Sequence, residues 1–244
     1  MKTSRLFPVP ARFAPSAAAF TLLEIVTTLS IIVILTSIVV GIAGHAQRKG
    51  ATTRAANEMA MLSSALENYK SETGGYPQSS TGTDVLSPKT HFNPTAPEYA
   101  AASLFLYQEL TGDKSGPGGT GPSDGVPDTD PAGNPAPIYL KQYDPRILMA
   151  ERDPATRRIV QVKGLQDPWG YSYGYSTAGM AAEQKFQQQL KTGAAGVTRP
   201  TGVDNPGFNS ASPDLWSTTG GTPTPAPTVP AEKDRESARW VKNW

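Results

Sequence analysis

From residue 25 to residue 44 the chain carries no ionisable group: IVTTLSIIVILTSIVVGIAG is 20 consecutive uncharged, largely apolar residues. At 1.5 Å per residue that is about the length needed to cross a bilayer core as a helix. Ahead of it, residues 1–19 (MKTSRLFPVPARFAPSAAA) hold three cations, Lys2, Arg5 and Arg12, no acid, and prolines at 8, 10 and 15. A basic leader before an apolar helix favours a cytoplasmic N-terminus and an outward-facing remainder. A secretory signal would place its apolar region before the small-residue site Ala17-Ala18-Ala19, whereas here the apolar run follows that site. Cleavage after Ala19 would remove the leader and keep the helix.

Glu24 is the one acid between residues 20 and 44. A carboxylate at mid-bilayer costs roughly 2.5–3.5 kcal/mol, and less near the interface. It reads either as a hydrated interfacial group or as a functional one. If the chain is cut before Phe20, Glu24 becomes the fifth residue, one turn from a new α-amino group. There it favours the helix dipole and can pair with the terminal amine of a neighbouring subunit.

Past the apolar run the helix pattern continues. Ala55, Met59, Leu62, Leu66 and Tyr69 recur at spacings of four and three, a single apolar stripe, with Arg48, Lys49, Glu58, Glu67 and Lys70 mostly off it. Thr73-Gly74-Gly75-Tyr76-Pro77 ends the pattern. One helix from residue 20 to about 72 would be about 75–80 Å long, with Gly41, Gly44 and Gly50 as its weak points. The expected organisation is a leader (1–19), an assembly and membrane helix (20–45), its amphipathic continuation (46–73) and a head (74–244).

In the head, residues 100–110 have helical spacing through Leu104, Tyr107 and Leu110. Residues 158–163 alternate as a strand, a turn region surrounds Gly164, and Tyr171-Ser172-Tyr173-Gly174-Tyr175 reads as an aromatic strand. Gly and Pro total 46 of 244 residues, against ordinary usage of roughly 12%. They concentrate in residues 112–137, with seven Gly and six Pro in 26 positions, and recur in 218–230, so both stretches are expected to be exposed loops. The fold class that follows is α+β, a long N-terminal helix whose amphipathic half covers a small antiparallel sheet.

Composition excludes several functions. With 22 Lys+Arg against 21 Asp+Glu, the net charge of +1 provides no field for nucleic acid, and no nucleic-acid partner is expected. The absence of Cys removes disulfides, thiolate zinc sites and cysteine nucleophiles. Residues 170–174 spell G-x-S-x-G, but neither His (45 and 91) follows that Ser, and the segment reads as a strand. Phosphate-cradling, zinc and dinucleotide patterns are missing, so no enzyme is expected. Asp124, Asp128 and Asp130 echo a calcium loop without the ligand spacing of an EF-hand.

Phe20-Thr21-Leu22-Leu23-Glu24, the basic leader before it and the retained helix after it resemble the class III signal of type IV prepilins and type II secretion pseudopilins. In that family a prepilin peptidase cuts before the Phe and N-methylates it, and the fifth-residue Glu supports assembly. The resemblance thus assigns processing to Ala19 and Phe20 and assembly to Glu24. The family usually has Gly where this chain has Ala19. Residues 66–77, Gln166-Asp167-Pro168-Trp169-Gly170, Pro213-Asp214-Leu215-Trp216-Ser217 and Trp240-Val241-Lys242-Asn243-Trp244 are similar to the major pseudopilin of type II secretion. Asp167, Pro168, Trp169, Gly170 and Trp216 are the head residues that carry it, and residues 112–137 lie outside it.

The resemblance implies a single-pass inner-membrane protein with a periplasmic head, assembled into a pseudopilus that helps export proteins. Its implied partners are further copies of itself, minor pseudopilins, the prepilin peptidase, the inner-membrane assembly platform and the membrane. No cofactor is required. The family's calcium ion sits near the C-terminal loop, which makes Leu215, Ser217 and Asp234 candidate ligands. The competing role for Glu232, Asp234 and Glu236 is surface solvation. Two other functions fit the sequence: a type IV pilin of a surface fibre serving adhesion, motility or DNA uptake, and a monomeric membrane-anchored binding domain that uses the Gly/Pro loop.

Overall fold

A computed structural model describes residues 20–116, 120–130, 132–223 and 226–244, with the side chains at 39–43 and 203 outside the description. The leader, residues 1–19 with Ala19, lies outside the described residues. The chain divides into two units, up to Gln47 and from Arg48 to Trp244.

The first unit is helical. Helix α1, Leu22–Thr73, begins there and runs unbroken through Gly41, Gly44 and Gly50. Among the described residues no helix is long and apolar enough to cross a membrane. Of the expected span 25–44, the side chains at 39–43 fall outside the description, and the described apolar stretch ends at Ile38.

The second unit is α+β. Among its described residues are α2 (Pro97–Thr111), α3 (Ala178–Lys191) and α4 (Pro230–Ser237), together with two small antiparallel sheets. One sheet pairs β1 (Leu148–Arg152) with β2 (Ile159–Leu165). The other has the order β3–β4–β5, from Gly174–Ser176, Asp214–Ser217 and Val241–Lys242.

The stripe on α1 is the reason this unit has a core. Ala55, Met59, Leu62 and Leu66 are buried, and Tyr69 packs on the same cluster. Leu106, Tyr107 and Leu110 of α2, Val162 and Leu165 of β2, and Tyr173, Tyr175 and Leu215 complete it. Glu58, expected off the stripe, is buried as well. It accepts a hydrogen bond from Tyr173 Oη (2.6 Å) and pairs with Arg54 (2.6 Å). A paired carboxylate is tolerated on a packed face where an unpaired one is not.

Local chemistry ends each element. α1 closes on Gly74, whose left-handed φ of 84° lets its N–H reach the Lys70 carbonyl at 2.8 Å. α2 begins with Pro97, whose fixed φ suits the first turn, and stops at left-handed Gly112.

The structure corrects two strand expectations. Gly164 lies inside β2 opposite Met149, not in a turn. It is there because α2 comes close: a Cβ would stand 2.8 Å from Ser103 Oγ, which donates to the Leu165 carbonyl (2.8 Å) and accepts from the Leu165 N–H (2.7 Å). The aromatic strand is also shorter than expected. Only Gly174–Ser176 pairs with β4, because Tyr171 is held in a turn by Asp167 and Ser172 only bridges Gln166. The 112–137 loop forms no helix or strand among its described residues, but it is not wholly exposed. Asp113 and Ser123 are buried, with Asp113 accepting from Tyr107 Oη (2.6 Å) and the Gly125 N–H (2.7 Å).

Candidate functional site

The start of α1 is built by Thr21. Its carbonyl accepts from Glu24 N (3.1 Å) and Ile25 N (3.2 Å), and its Oγ1 also accepts from Glu24 N (3.2 Å). Thr21 is therefore the N-cap and Glu24 the third helical residue, the Thr-x-x-Glu order of a capping box. This leaves the Glu24 carboxylate exposed in the first turn, where the helix dipole favours negative charge. Phe20, one residue before the cap, is 76% exposed. The structure brings Phe20 and Glu24 together at one helix end.

Along the following turns apolar side chains stand in the open on every side of the helix. Ile25, Val26, Leu29, Ile31, Ile32, Val33, Ile34, Leu35 and Ile38 are all about half exposed or more, reaching 66% at Val33. A helix apolar all round belongs inside something. Its hydroxyls bond inside the helix. Thr27 and Thr28 donate to the Glu24 carbonyl (3.0 and 2.9 Å), Ser30 to Val26 (2.8 Å), Thr36 to Ile32 (2.7 Å), and Ser37 to Val33. Each hydroxyl is satisfied within its own helix, as are those of Thr52 and Thr53 in the charged stretch that follows, so this bonding suits lipid and water alike.

The head motif is a turn and an aromatic core. Asp167 is buried, and its Oδ1 accepts from the N–H groups of Trp169 and Tyr171 (both 3.0 Å) while Oδ2 accepts from Ser217 Oγ (2.6 Å). Pro168 and Trp169 span the turn, and Gly170, at φ 87°, closes it with its N–H on the Asp167 carbonyl (2.9 Å). Burial pushes the Asp167 carboxyl above its ordinary range, against the pull of the Ser217, Tyr171 and Trp169 donors.

Trp216 is fully buried on β4. Its Nε1 donates to Tyr99 Oη (3.0 Å), which in turn donates to the His91 carbonyl (2.7 Å). Its ring stacks on Trp240 with centroids 6.0 Å apart. Asp167 and Trp216 thus join β3, β4 and α2 into one body, and both work as architecture.

The candidate calcium ligands lie on β4 (Leu215, Ser217) and α4 (Asp234). The Leu215 carbonyl accepts from Asn243 N (3.1 Å), Ser217 Oγ is given to Asp167 (2.6 Å), and Asp234 lies on the exposed face of α4. Among the described residues no group of three or more His, Asp or Glu is placed to hold a metal. Asp124, Asp128 and Asp130 instead hold their own loop, through Val126 N (3.0 Å), Lys114 N (2.9 Å) and Asn134 N (2.8 Å).

One site has no sequence signal. A cleft of about 550 Å³ opens between Pro88, Lys89 and Phe92, the 202–208 segment and α4. Lys89 Nζ donates to the carbonyls of Gly202 (2.7 Å) and Asn205 (2.8 Å) and lies over the Phe208 ring. Behind it, buried Asp214 accepts from Phe208 N (2.7 Å) and Asn209 N (3.0 Å). Burial raises the Asp214 carboxyl to about 6, and burial lowers the Lys89 ammonium. No spacing rule links positions 89, 208 and 214, so only the folded chain brings them together.

Compared with known protein families, curated proteins and solved structures, the chain matches none.

Proposed function

We propose that this chain is a membrane-anchored structural subunit that polymerises through its N-terminal helix, in the manner of a type II secretion pseudopilin. The observation that carries the reading is the segment 20–38. It is apolar on all sides, and its only carboxylate is the capped Glu24 at the start. With the uncharged run continuing to residue 44, such a helix suits lipid before assembly and neighbouring helices after it. In this mechanism the prepilin peptidase removes the leader before Phe20. Glu24 then meets the α-amino group of an adjacent subunit, and addition of subunits at the membrane lengthens the fibre and drives export. The resemblance of the Asp167 and Trp216 segments favours secretion over a surface pilus.

Glu24→Ala tests the assembly role. The variant should remain in the membrane, since only about 0.3–1 kcal/mol of helix-dipole interaction is lost, while fibre yield falls at least tenfold by electron microscopy. Fibres at normal yield would contradict the assignment. A monomeric anchored binding domain is the second reading, favoured by the 550 Å³ cleft beside α4, and it requires no dependence on Glu24.

A further inference from the structure

β1 leaves one side of its sheet open. Its partner β2 is paired with it on one edge and, on the other, donates from Val162 N to the Ser123 carbonyl (2.8 Å). Among the described residues the lateral order is therefore the 123 segment, β2 and β1. Among the described residues, 149–152 form no backbone hydrogen bonds except those to β2. Exposed strand edges attract other chains unless guarded. This one is flanked by a groove of about 370 Å³ lined by Leu148, Met149 and Ala150 with Arg146 and Arg152, and closed by Pro145 and by Gln166 just past the end of β2. No acid lines the groove. Asp144 pairs with Arg146 (2.7 Å) and Glu151 of β1 with Lys163 of β2 (3.0 Å), both acids outside the groove lining, whereas Arg152 makes no ion pair among the described residues, and Arg157 and Arg158 are exposed at the hairpin turn.

The opposite edge of the same ribbon has the complementary character. There Val126 is 62% exposed between Asp124 and Asp128, with Asp130 beyond and no cation between residues 120 and 137. The loop is fixed to the β2 side through Ser123 and by Gly125 packing near Ile159. An acidic rim around an apolar knob thus lies on one edge, and a basic rim around an apolar groove on the other. Because the two lie on opposite sides of one ribbon, they match between copies, in a head-to-tail contact that repeats.

We propose that the outer edge of β1 is a docking surface for a second copy of this chain, receiving its 124–130 loop with Val126 against Leu148, Met149 and Ala150 and its aspartates facing Arg146 and Arg152. The inference rests on the polymer reading above and adds a head contact to it.

The absence of native Cys makes the test clean. The full-length double variant Val126→Cys/Ala150→Cys is oxidised in membranes and run on a non-reducing gel, with fibres counted in the same preparation. A ladder of dimer, trimer and higher species is expected from the double variant, and monomer from each single variant. Adding Arg152→Glu should cut the ladder at least fivefold. Fibres without a ladder would overturn the docking surface and leave the polymer reading standing. A ladder without fibres would support the docking surface and contradict the polymer reading. Absence of both would overturn both, and a dimer from Ala150→Cys alone would overturn the choice of occupant in favour of edge-to-edge pairing.

Discussion

Asp214 is shut away from water behind Phe208 and Asn209, and its titration follows from that position. An unfolded Asp loses its proton near pH 3.9, whereas here burial raises the carboxyl to about 6, against the donors of the 208–209 backbone and the charge of Lys89. Between those values the folded chain holds a proton that the unfolded chain has lost. Stability from this group is therefore full below about pH 4 and is lost as pH rises towards 6, by about 2–3 kcal/mol. Asp214→Asn should flatten that part of the profile, measured as urea unfolding free energies at pH 4 and pH 7. An unchanged difference between the two pH values would refute the argument. Gly174 is a steric case. A Cβ there would stand 2.1 Å from Trp216 Cε2, so Gly174→Ala must displace the indole that holds Tyr99. The expected loss is about 3 kcal/mol, with a changed near-ultraviolet circular dichroism signal from the Trp cluster. A variant with wild-type melting temperature and spectrum would mean the ring has room.

At the scale of elements, the outer part of α1 is the clearest case. Leu62 is fully buried between α2 and the sheets, and Leu62→Ala should cost about 2–5 kcal/mol in thermal or urea unfolding. A loss below about 1 kcal/mol would mean this face is not the core. The stripe from Ala55 to Tyr69 was legible because a helix packed on one side must repeat its apolar residues every three to four positions. The α2 pattern was legible for the same reason. Glu58 was not, since its burial depends on Tyr173, a residue distant in sequence. Gly164 was misread as a turn because the sequence shows a missing side chain but not the Ser103 hydroxyl that occupies its space. The helices α3 and α4 were not foreseen. α3 does carry an apolar row at four-residue spacing, Ala178, Ala182, Phe186 and Leu190, which its many Gln and Lys residues mask, and α4 is only eight residues, too short to show a stripe. The Asp167 turn could be quoted as a motif, but its hydrogen bond to Ser217 appears only when β3 and β4 pair.

For the molecule as a whole, the first unit is a helix with exposed apolar side chains, and the second is a packed head with its own core. On the proposed reading, the capped start of α1 and the apolar turns after it are surrounded first by lipid and then by copies of the same helix. The head is held together by the Asp167 turn and the Trp216 cluster. The link between these parts is the new N-terminus that cleavage would create beside Glu24. The central claim therefore stands on how the chain is processed, and the most direct measurement is the intact mass and N-terminal peptide mass of protein taken from native membranes. The account predicts a mature chain beginning at N-methylated Phe20. A chain that retains Met1, or one cut beyond Gly44, would contradict it and leave an anchored or released binding domain in its place.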